Sequence, residues 1–421
     1  MPMPTVTHDP TTAAPRAGAV GYLAIVLALA ACALAAVAAV NWWVDPFGGF
    51  RGEASRYWQH QTMRHTRSWR GEAVRRAEPA TVLLGSSRTE VGFDPQRLPE
   101  RMQPAINVGL SSATSYELLR AIETLERVDA VRTVVLMAGP EVLVAEPRGA
   151  EDFAWSRFDD DRVAFERRLE RLLSLRTLKA SAGTVKAASQ NRLAIVHDDG
   201  FRDWAERPDE LCVRERFARV LARPDLEGAV GPEWTEGRSR HVQEIARLCA
   251  ARGWRMVYVI PPVHAVRLEK WAARDKLWRF DWLRREAVRS LPPIFESVGR
   301  PDDLSVIDFS GCNAFTVEPI PDRMGAAATT RWWWEELHFT AELGAIMLDR
   351  IAAAAGHGDT HAGLHAEARP EASTEPAHRF GVRLTKANVE AHIGRQAEAL
   401  KEWREAQAAT VEWARRLFEG S

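Results

Sequence analysis

A hydroxyl, an imidazole and a carboxylate are the groups in this chain whose types and spacing could work as one unit. Ser86 and Ser87 follow directly on the apolar run ATVLLG at residues 80–85. Far downstream, Glu335 stands three residues before His338 in the stretch WEELHFT. A serine hydroxyl attacks an acyl carbon only when a neighbouring base takes its proton and a third group orients that base. Glu335 is close enough in sequence to accept the Nδ1–H of His338 and fix its tautomer. Glu336 is a second carboxylate within reach. Taken singly, each signal is more often structural, since paired serines cap turns and a histidine opening a helix usually has no chemical role. A fold that brings Ser87 and His338 together would make a serine-dependent acyl hydrolase or acyltransferase.

The patterning around these residues describes such a fold. Five short apolar runs read as buried parallel strands: Thr81–Leu84, Ala105–Val108, Thr133–Met137, Arg255–Ile260 and Leu304–Phe309. Between them lie stretches with apolar residues at helical spacing, such as SYELLRAIETLER from Ser115 and RHVQEIARLCAAR from Arg240. Strand–helix alternation with short connections predicts a parallel sheet covered on both faces. The expected class is α/β, a three-layer α/β/α body with a five-stranded, flavodoxin-like parallel sheet, preceded by one transmembrane helix. Open sheets of this kind carry their chemistry at the C-terminal strand ends. Ser87 follows the first strand, and His338 follows the last and opens what reads as the final helix.

Residues 80–355 make up this domain, with a charged, mostly helical insertion at 147–238 that is expected to form a lid over the sheet edge. A second helical segment, Leu268–Leu291, separates the fourth and fifth strands. Residues 1–16 are polar and rich in Pro and Thr, which predicts disorder. Residues 41–79 connect, with a turn signal at Asp45-Pro46-Phe47-Gly48-Gly49. Residues 356–380 read as a low-complexity linker, and 381–421 as a helical appendage with Trp403 and Trp413 available for docking.

From Ala17 to Val40 the chain is uncharged and almost wholly apolar. At about 1.5 Å per residue such a helix is about 36 Å long, enough to cross a hydrocarbon core of about 30 Å. Trp42 and Trp43 follow where an interfacial aromatic belt would lie. A cleaved signal peptide fits less well, because the apolar stretch exceeds an ordinary leader. Leu29-Ala30-Ala31-Cys32 has the form of a lipoprotein box, but the residues after Cys32 stay apolar where a tether would be polar. An uncleaved anchor is the better reading.

The formal net charge of -1 gives no electrostatic reason to expect nucleic acid as a partner. The 16 tryptophans would mostly pack the core, with some free to line a carbohydrate groove or a membrane-proximal surface. Cys32 lies in the apolar helix, and Cys212, Cys249 and Cys312 show no zinc-site spacing. One disulfide with a free thiol, or free buried cysteines, both fit. No phosphate loop of the GxxxxGK[ST] kind occurs, and no metal or cofactor is expected.

Gly85-Ser86-Ser87, then Asn107-Val108-Gly109, then Glu335-x-x-His338, in this order across five strands, resemble the blocks of the SGNH (GDSL-like) hydrolase superfamily. The resemblance runs from Thr81 to Ala355 and is nearest to the membrane-anchored branch that includes alginate O-acetylation proteins and the D-alanine transfer protein of teichoic acids. It implies Ser87 as nucleophile, His338 as base, Glu335 as its orienting carboxylate, and an oxyanion hole from the N–H groups of Ser87 and Gly109. It also implies a domain on the outer side of the cytoplasmic membrane, in the periplasm or cell exterior. There it would transfer or remove acyl groups on a cell-envelope polysaccharide or related polymer, with a membrane-bound acyl-donor protein as partner. The arginines after the apolar helix, counted by the positive-inside rule, point the other way, although long domains translocate largely regardless of charge.

The chain departs from that family's pattern in three places. Ser86 stands where the name-motif has Asp, and Glu335 where it has Asp. After the third strand the chain reads Ala138-Gly139-Pro140-Glu141, without the oxyanion asparagine. Loss of one oxyanion donor slows acyl transfer by about 100- to 1000-fold. The alternative is therefore a non-catalytic envelope binding or assembly protein that retains the fold. Arg88, Asn107, His264 and Trp334 are the further candidates for contacts to substrate. Arg88 and Asn107 flank the nucleophile, His264 follows the fourth strand, and Trp334 ends a run of three rings that cannot all face one core.

Overall fold

The computed structural model describes residues 15–60, 66–144, 153, 156–159, 164–191, 196–204, 211–223, 232–321, 329–356 and 380–419. The chain divides into two compact units, Met1–Thr62 with Asp161–Ala194, and Met63–Asp160 with Ile195–Ser421. The expected disordered N-terminus and the linker fall almost wholly outside the described residues.

The first unit is built on α1 (Pro15–Val44), an unbroken run of helix-forming and apolar residues. Its segment Ala19–Val44 is long and apolar enough to cross a membrane, and residues 19–36 of it are exposed. The helix runs past Val40 through Trp42 and Trp43 and stops at Asp45, which takes a left-handed φ of 49°. The Asp45 carboxylate accepts the N–H groups of Gly49 (2.9 Å), Phe50 (3.0 Å), Arg51 (2.6 Å) and Gly52 (2.9 Å). One side chain thus satisfies the whole turn that ends the helix.

In the second unit, α2 (Thr66–Ala77) leads into β1 (Thr81–Gly85), α3 (Ser87–Gly92), β2 (Ala105–Gly109), α4 (Ser115–Leu125), β3 (Thr133–Met137) and α5 (Pro140–Val144). Thr114 opens α4 with a reciprocal capping box, its hydroxyl accepting Glu117 N–H (3.1 Å) while Glu117 accepts Thr114 N–H (3.1 Å). The next helices, α6 (Ala164–Leu173) and α7 (Leu175–Ser189), belong to the unit of α1. The second unit resumes with α8 (Val213–Leu221), α9 (Pro232–Arg252), β4 (Arg255–Ile260), α10 (Ala265–Ala273), α11 (Trp278–Ser290), α12 (Pro292–Glu296) and β5 (Leu304–Asp308). It ends with α13 (Ala341–Ala354), β6 (Val382–Arg383), α14 (Val389–Ala406) and α15 (Ala408–Glu419).

The sheet is six-stranded and mixed, in the order β2-β1-β3-β4-β5-β6. The first five strands are parallel, and their residues are buried on both faces except Arg255. That is why they appear in the sequence as continuous apolar runs rather than alternating ones. The sixth strand corrects the expected five: β6 pairs antiparallel with the edge of β5, Ile307 opposite Arg383 and Asp308 opposite Val382. Two residues carry no periodicity, so nothing in the sequence marks it.

Two further expectations change, and one open alternative closes. The insertion at 147–238 is not one body, because α6 and α7 group with α1 while α8 and α9 group with the sheet. The helical stretch between β4 and β5 breaks at Asp275, which adopts φ 51° and cannot continue a helix. The cysteines Cys32, Cys212, Cys249 and Cys312 are all free.

The C-terminal appendage is held by buried charge. Arg404 Nε and Arg415 Nη2 each lie 2.6 Å from the fully buried Glu269, and His392 Nε2 lies 2.8 Å from Asp308 Oδ2 at the end of β5. Burial works to raise the Asp308 carboxyl, but Arg284 and His392 hold it well below the usual carboxylate range. Trp403 is buried, and Trp413 is half-buried under the Arg214 guanidinium at 4.3 Å.

Candidate active site

β1 ends at Gly85, and the chain turns through Ser86 (φ -91°, ψ -160°) directly into α3, whose first residue is Ser87. A Cβ at Gly85 would overlap the Thr89 hydroxyl and the Met137 carbonyl, and one at Gly109 would overlap the Glu90 backbone. Both glycines let α3 sit directly on the strand ends. Strand order reverses here, since β2 lies on one side of β1 and β3 on the other; in open α/β sheets such a switch point is where ligands bind. From Thr81 to Phe93 every side chain is buried except that of Ser87.

His338 reaches this point from the loop after β5. Its Nε2 lies 2.8 Å from Ser87 Oγ, although 251 residues separate them. On the other side of the ring, Nδ1 is hydrogen-bonded to Glu335 Oε1. The same carboxylate accepts the N–H of His338 at Oε1 (3.1 Å) and of Leu337 at Oε2 (2.9 Å). Nδ1–H donating to Glu335 leaves Nε2 to accept the serine proton, the tautomer a general base requires. Burial would raise the Glu335 carboxyl, yet the charge and hydrogen bond of His338 and the Leu337 N–H bring it down to about 2. Glu336 does the opposite. It is fully buried, and burial together with the Glu335 charge drives its carboxyl well above the usual range, opposed by Arg267 with Nη1 at 3.7 Å. Glu335, and not Glu336, engages the imidazole.

The histidine loop is tied to α3 by packing. Trp334 N–H donates to the His338 carbonyl (2.9 Å), and Thr340 N–H to the Trp332 carbonyl (2.9 Å). Phe339, fully buried, lies against Phe93 with centroids 6.0 Å apart and covers Gly92. A side chain at Gly92 would overlap that ring, and one at Gly344 would overlap the Gly92 carbonyl, so α13 and α3 meet through two glycines. His338 itself precedes α13, which is capped by Thr340.

Several expected contacts are corrected by the geometry. Gly109 N–H donates to Asn107 Oδ1 (2.8 Å), so it is not aimed at an oxyanion in this arrangement. Ser87 N–H, first in α3, has no intrahelical acceptor and keeps the expected role open to it. Asn107 is fully buried, and its amide donates to the carbonyls of Thr89 (2.7 Å) and Phe93 (2.7 Å); it locks α3 to β2 instead of facing a ligand. Arg88 is buried in an ion pair with Glu141 and lies 3.4 Å from the Pro262 carbonyl. This pair stands against Gly139, in the stretch after β3 that lacks the asparagine expected from the resemblance. His264 is a buried cap of α10, with Nδ1 accepting Val266 N–H (3.3 Å) and Nε2 donating to the Glu318 carbonyl (2.8 Å). Burial lowers its pKa to about 4. Of the three consecutive tryptophans, Trp333 is buried, while Trp332 and Trp334 are half-exposed. Arg216 Nε donates to the Trp334 carbonyl (3.1 Å), and its guanidinium lies 5.7 Å from the ring.

Two residues packed at the candidate site escape sequence reasoning. Trp204 lies 4.7 Å from the His338 ring, brought there by a segment whose Arg202 N–H donates to the Glu90 carbonyl (3.0 Å). Glu90, fully buried in α3, pairs with Arg70 (3.1 Å) and also bonds Ser111. Neither position belongs to a motif, and the only available signal is an acidic residue three positions after the serine.

Compared with family models, with curated proteins and with solved structures, the chain gives no match.

Proposed function

We propose that this chain is a membrane-anchored, extracytoplasmic acyl esterase or O-acyltransferase of SGNH type, with Ser87, His338 and Glu335 as its triad. The observation that carries the proposal is the continuous relay from Ser87 Oγ to His338 Nε2 (2.8 Å) and from Nδ1 to Glu335. Such a relay performs acyl transfer in two halves. Ser87 attacks the acyl carbonyl as its proton passes to Nε2, and Glu335, ionised and buried, stabilises the imidazolium. His338 then protonates the departing alcohol, leaving an acyl-serine. In the second half it takes a proton from water or from an acceptor hydroxyl, which attacks the acyl carbon and frees Ser87.

The strand order 2-1-3-4-5 of the parallel part, with the serine at the switch point, supports the flavodoxin-like SGNH reading. The resemblance to envelope acyltransferases supports a cell-envelope polysaccharide or related polymer as substrate, with a membrane-bound acyl-donor protein as partner. The apolar α1 supports single-pass anchoring in the cytoplasmic membrane.

Fluorophosphonate labelling of the full chain in detergent tests the chemistry. Labelling that disappears in Ser87→Ala and in His338→Ala supports the triad, whereas a folded wild type that takes no label rejects it. The second reading, a binding or assembly protein with the same fold, draws on the Gly109 N–H already satisfied by Asn107 and on the Arg88–Glu141 pair at the third-block position. It gains from the second outcome.

A further inference from the structure

The helical pair α6–α7 carries apolar side chains that its own unit leaves bare. Phe165 is 70% exposed, Leu169 45% and Leu175 75%. Phe165 and Leu169 are one turn apart and share a face of α6. The other side of the pair is fixed to the end of α1: the Asn41 amide donates to the carbonyl of Leu172 (2.8 Å), and its oxygen accepts the Ser181 hydroxyl (3.1 Å). Among the described side chains of α1 only those of the last turns are shielded, at residues 37, 38, 41 and 44, whereas residues 19–36 are exposed all round. That bare length is about 27 Å at about 1.5 Å per residue, close to the hydrocarbon thickness of about 30 Å. The pair is thus attached at the level where a bilayer would end, the level also marked by the half-exposed Trp42 and Trp43. Across residues 164–189 six basic side chains face two acidic ones, the balance an anionic headgroup layer attracts.

We propose that α6–α7 is an interfacial membrane foot, its Phe165, Leu169 and Leu175 side chains entering the boundary between headgroups and acyl chains of an anionic bilayer beside α1. The inference rests on α1 being a membrane anchor, as proposed above, and adds a second, monotopic contact to it. Sequence alone reads this stretch as part of a lid, because amphipathicity shows that a face is apolar and not what that face meets.

The test uses the full chain in phosphatidylglycerol/phosphatidylcholine vesicles. A fluorescent non-natural amino acid replaces Phe165, Leu29 or Val298, one at a time. All three are exposed, Val298 lying in the sheet unit. Lipids carrying a nitroxide at carbon 5 should quench the probe at 165 at least twofold more than the probe at 298, while deep nitroxides quench the probe at 29. Quenching at 165 no greater than at 298, with position 29 quenched, overturns the foot and leaves the anchor standing. Absence of quenching at 29 removes the anchor reading and this inference with it. Energy transfer between copies labelled at 165, without lipid quenching there, overturns the proposal in favour of a second copy covering the face.

Discussion

The indole of Trp204 leans over the imidazole of His338, with ring centroids 4.7 Å apart and planes at 44°. The contact comes from a segment remote in sequence from both Ser87 and His338, and it fills one side of the ring that must stay aligned with Ser87 Oγ. Aromatic contacts of this kind contribute about 0.5–1.5 kcal/mol beyond area burial, or about 2- to 12-fold in a rate constant. Trp204→Ala should lower kcat/KM for an aryl ester by that factor while the thermal midpoint shifts little. Trp204→Phe should restore most of the loss. An unchanged rate would show that the indole does not hold the histidine.

Glu335 and Glu336 are neighbours with opposite fates, and replacing each by glutamine separates them. In Glu335→Gln the carboxamide cannot stabilise the imidazolium, so ester turnover should fall by about 1,000- to 10,000-fold. In Glu336→Gln turnover should stay within about threefold, because Glu336 does not bond His338. The stability signs differ too. The Glu335 carboxyl lies below its unfolded value, so its contribution is present above about pH 4.5 and is lost as pH falls toward 2. The Glu336 carboxyl lies above its unfolded value, so its contribution is present below about pH 4.5 and is lost as pH rises. Thermal unfolding from pH 4 to 9 should show Glu336→Gln gaining on the wild type as pH increases. A constant difference would mean that Glu336 is ionised without penalty.

Much of this arrangement can be read from the chain before any coordinates. The five parallel strands begin at the expected residues and end within one of them, because strands buried on both faces must be apolar at every position. Ser87 stands out for a related reason, being a polar residue placed where such a run stops, and Glu335 and His338 stand out by their three-residue spacing ahead of the last helix of the domain. What stays hidden depends on partners rather than on pattern. Asn107 reads as a pocket residue until its amide is seen bridging two carbonyls of the α3 segment. His264 reads as a sheet-edge ligand until Phe217 and Trp333 enclose it, at 5.0 and 5.7 Å between centroids. Trp204 has no periodicity at all, and its place follows from the backbone bond between Arg202 and Glu90.

The burial of His264 makes acid stability a further test. Its pKa falls from the ordinary 6.5 to about 4 because burial disfavours the cation. The unfolded chain therefore takes up a proton that the folded chain refuses. Stability from this group is fully present above about pH 6.5 and is lost as pH drops toward 4, by roughly 3 kcal/mol over the window. His264→Gln, which can still donate toward the Glu318 carbonyl, should be less stable than the wild type at pH 7.5 but should lack this part of the acid decline. Parallel pH–stability curves for the two proteins would refute the assignment.

Arg88 and Glu141 meet across the ends of β1 and β3 as a buried pair: the Glu141 side chain is partly exposed, but both of its carboxylate oxygens are out of solvent. Each single substitution therefore strands a buried charge. Glu141→Gln leaves a buried guanidinium without its counter-charge, which costs about 3–5 kcal/mol when one partner of a buried pair is removed. Arg88→Met strands the carboxylate in the same way, since both Glu141 oxygens are shut off from solvent, so a comparable loss is expected. Combining Arg88→Met with Glu141→Gln should then be less destabilising than Glu141→Gln alone, since the stranded charge is gone. Chemical denaturation of the three variants closes that cycle. If the pair also supplies positive potential toward the acyl oxygen in place of the missing asparagine, Arg88→Met should lower kcat for an activated ester with KM unchanged. A double variant no more stable than Glu141→Gln would show that no charge is stranded by the single substitution, and would remove the basis for both expectations.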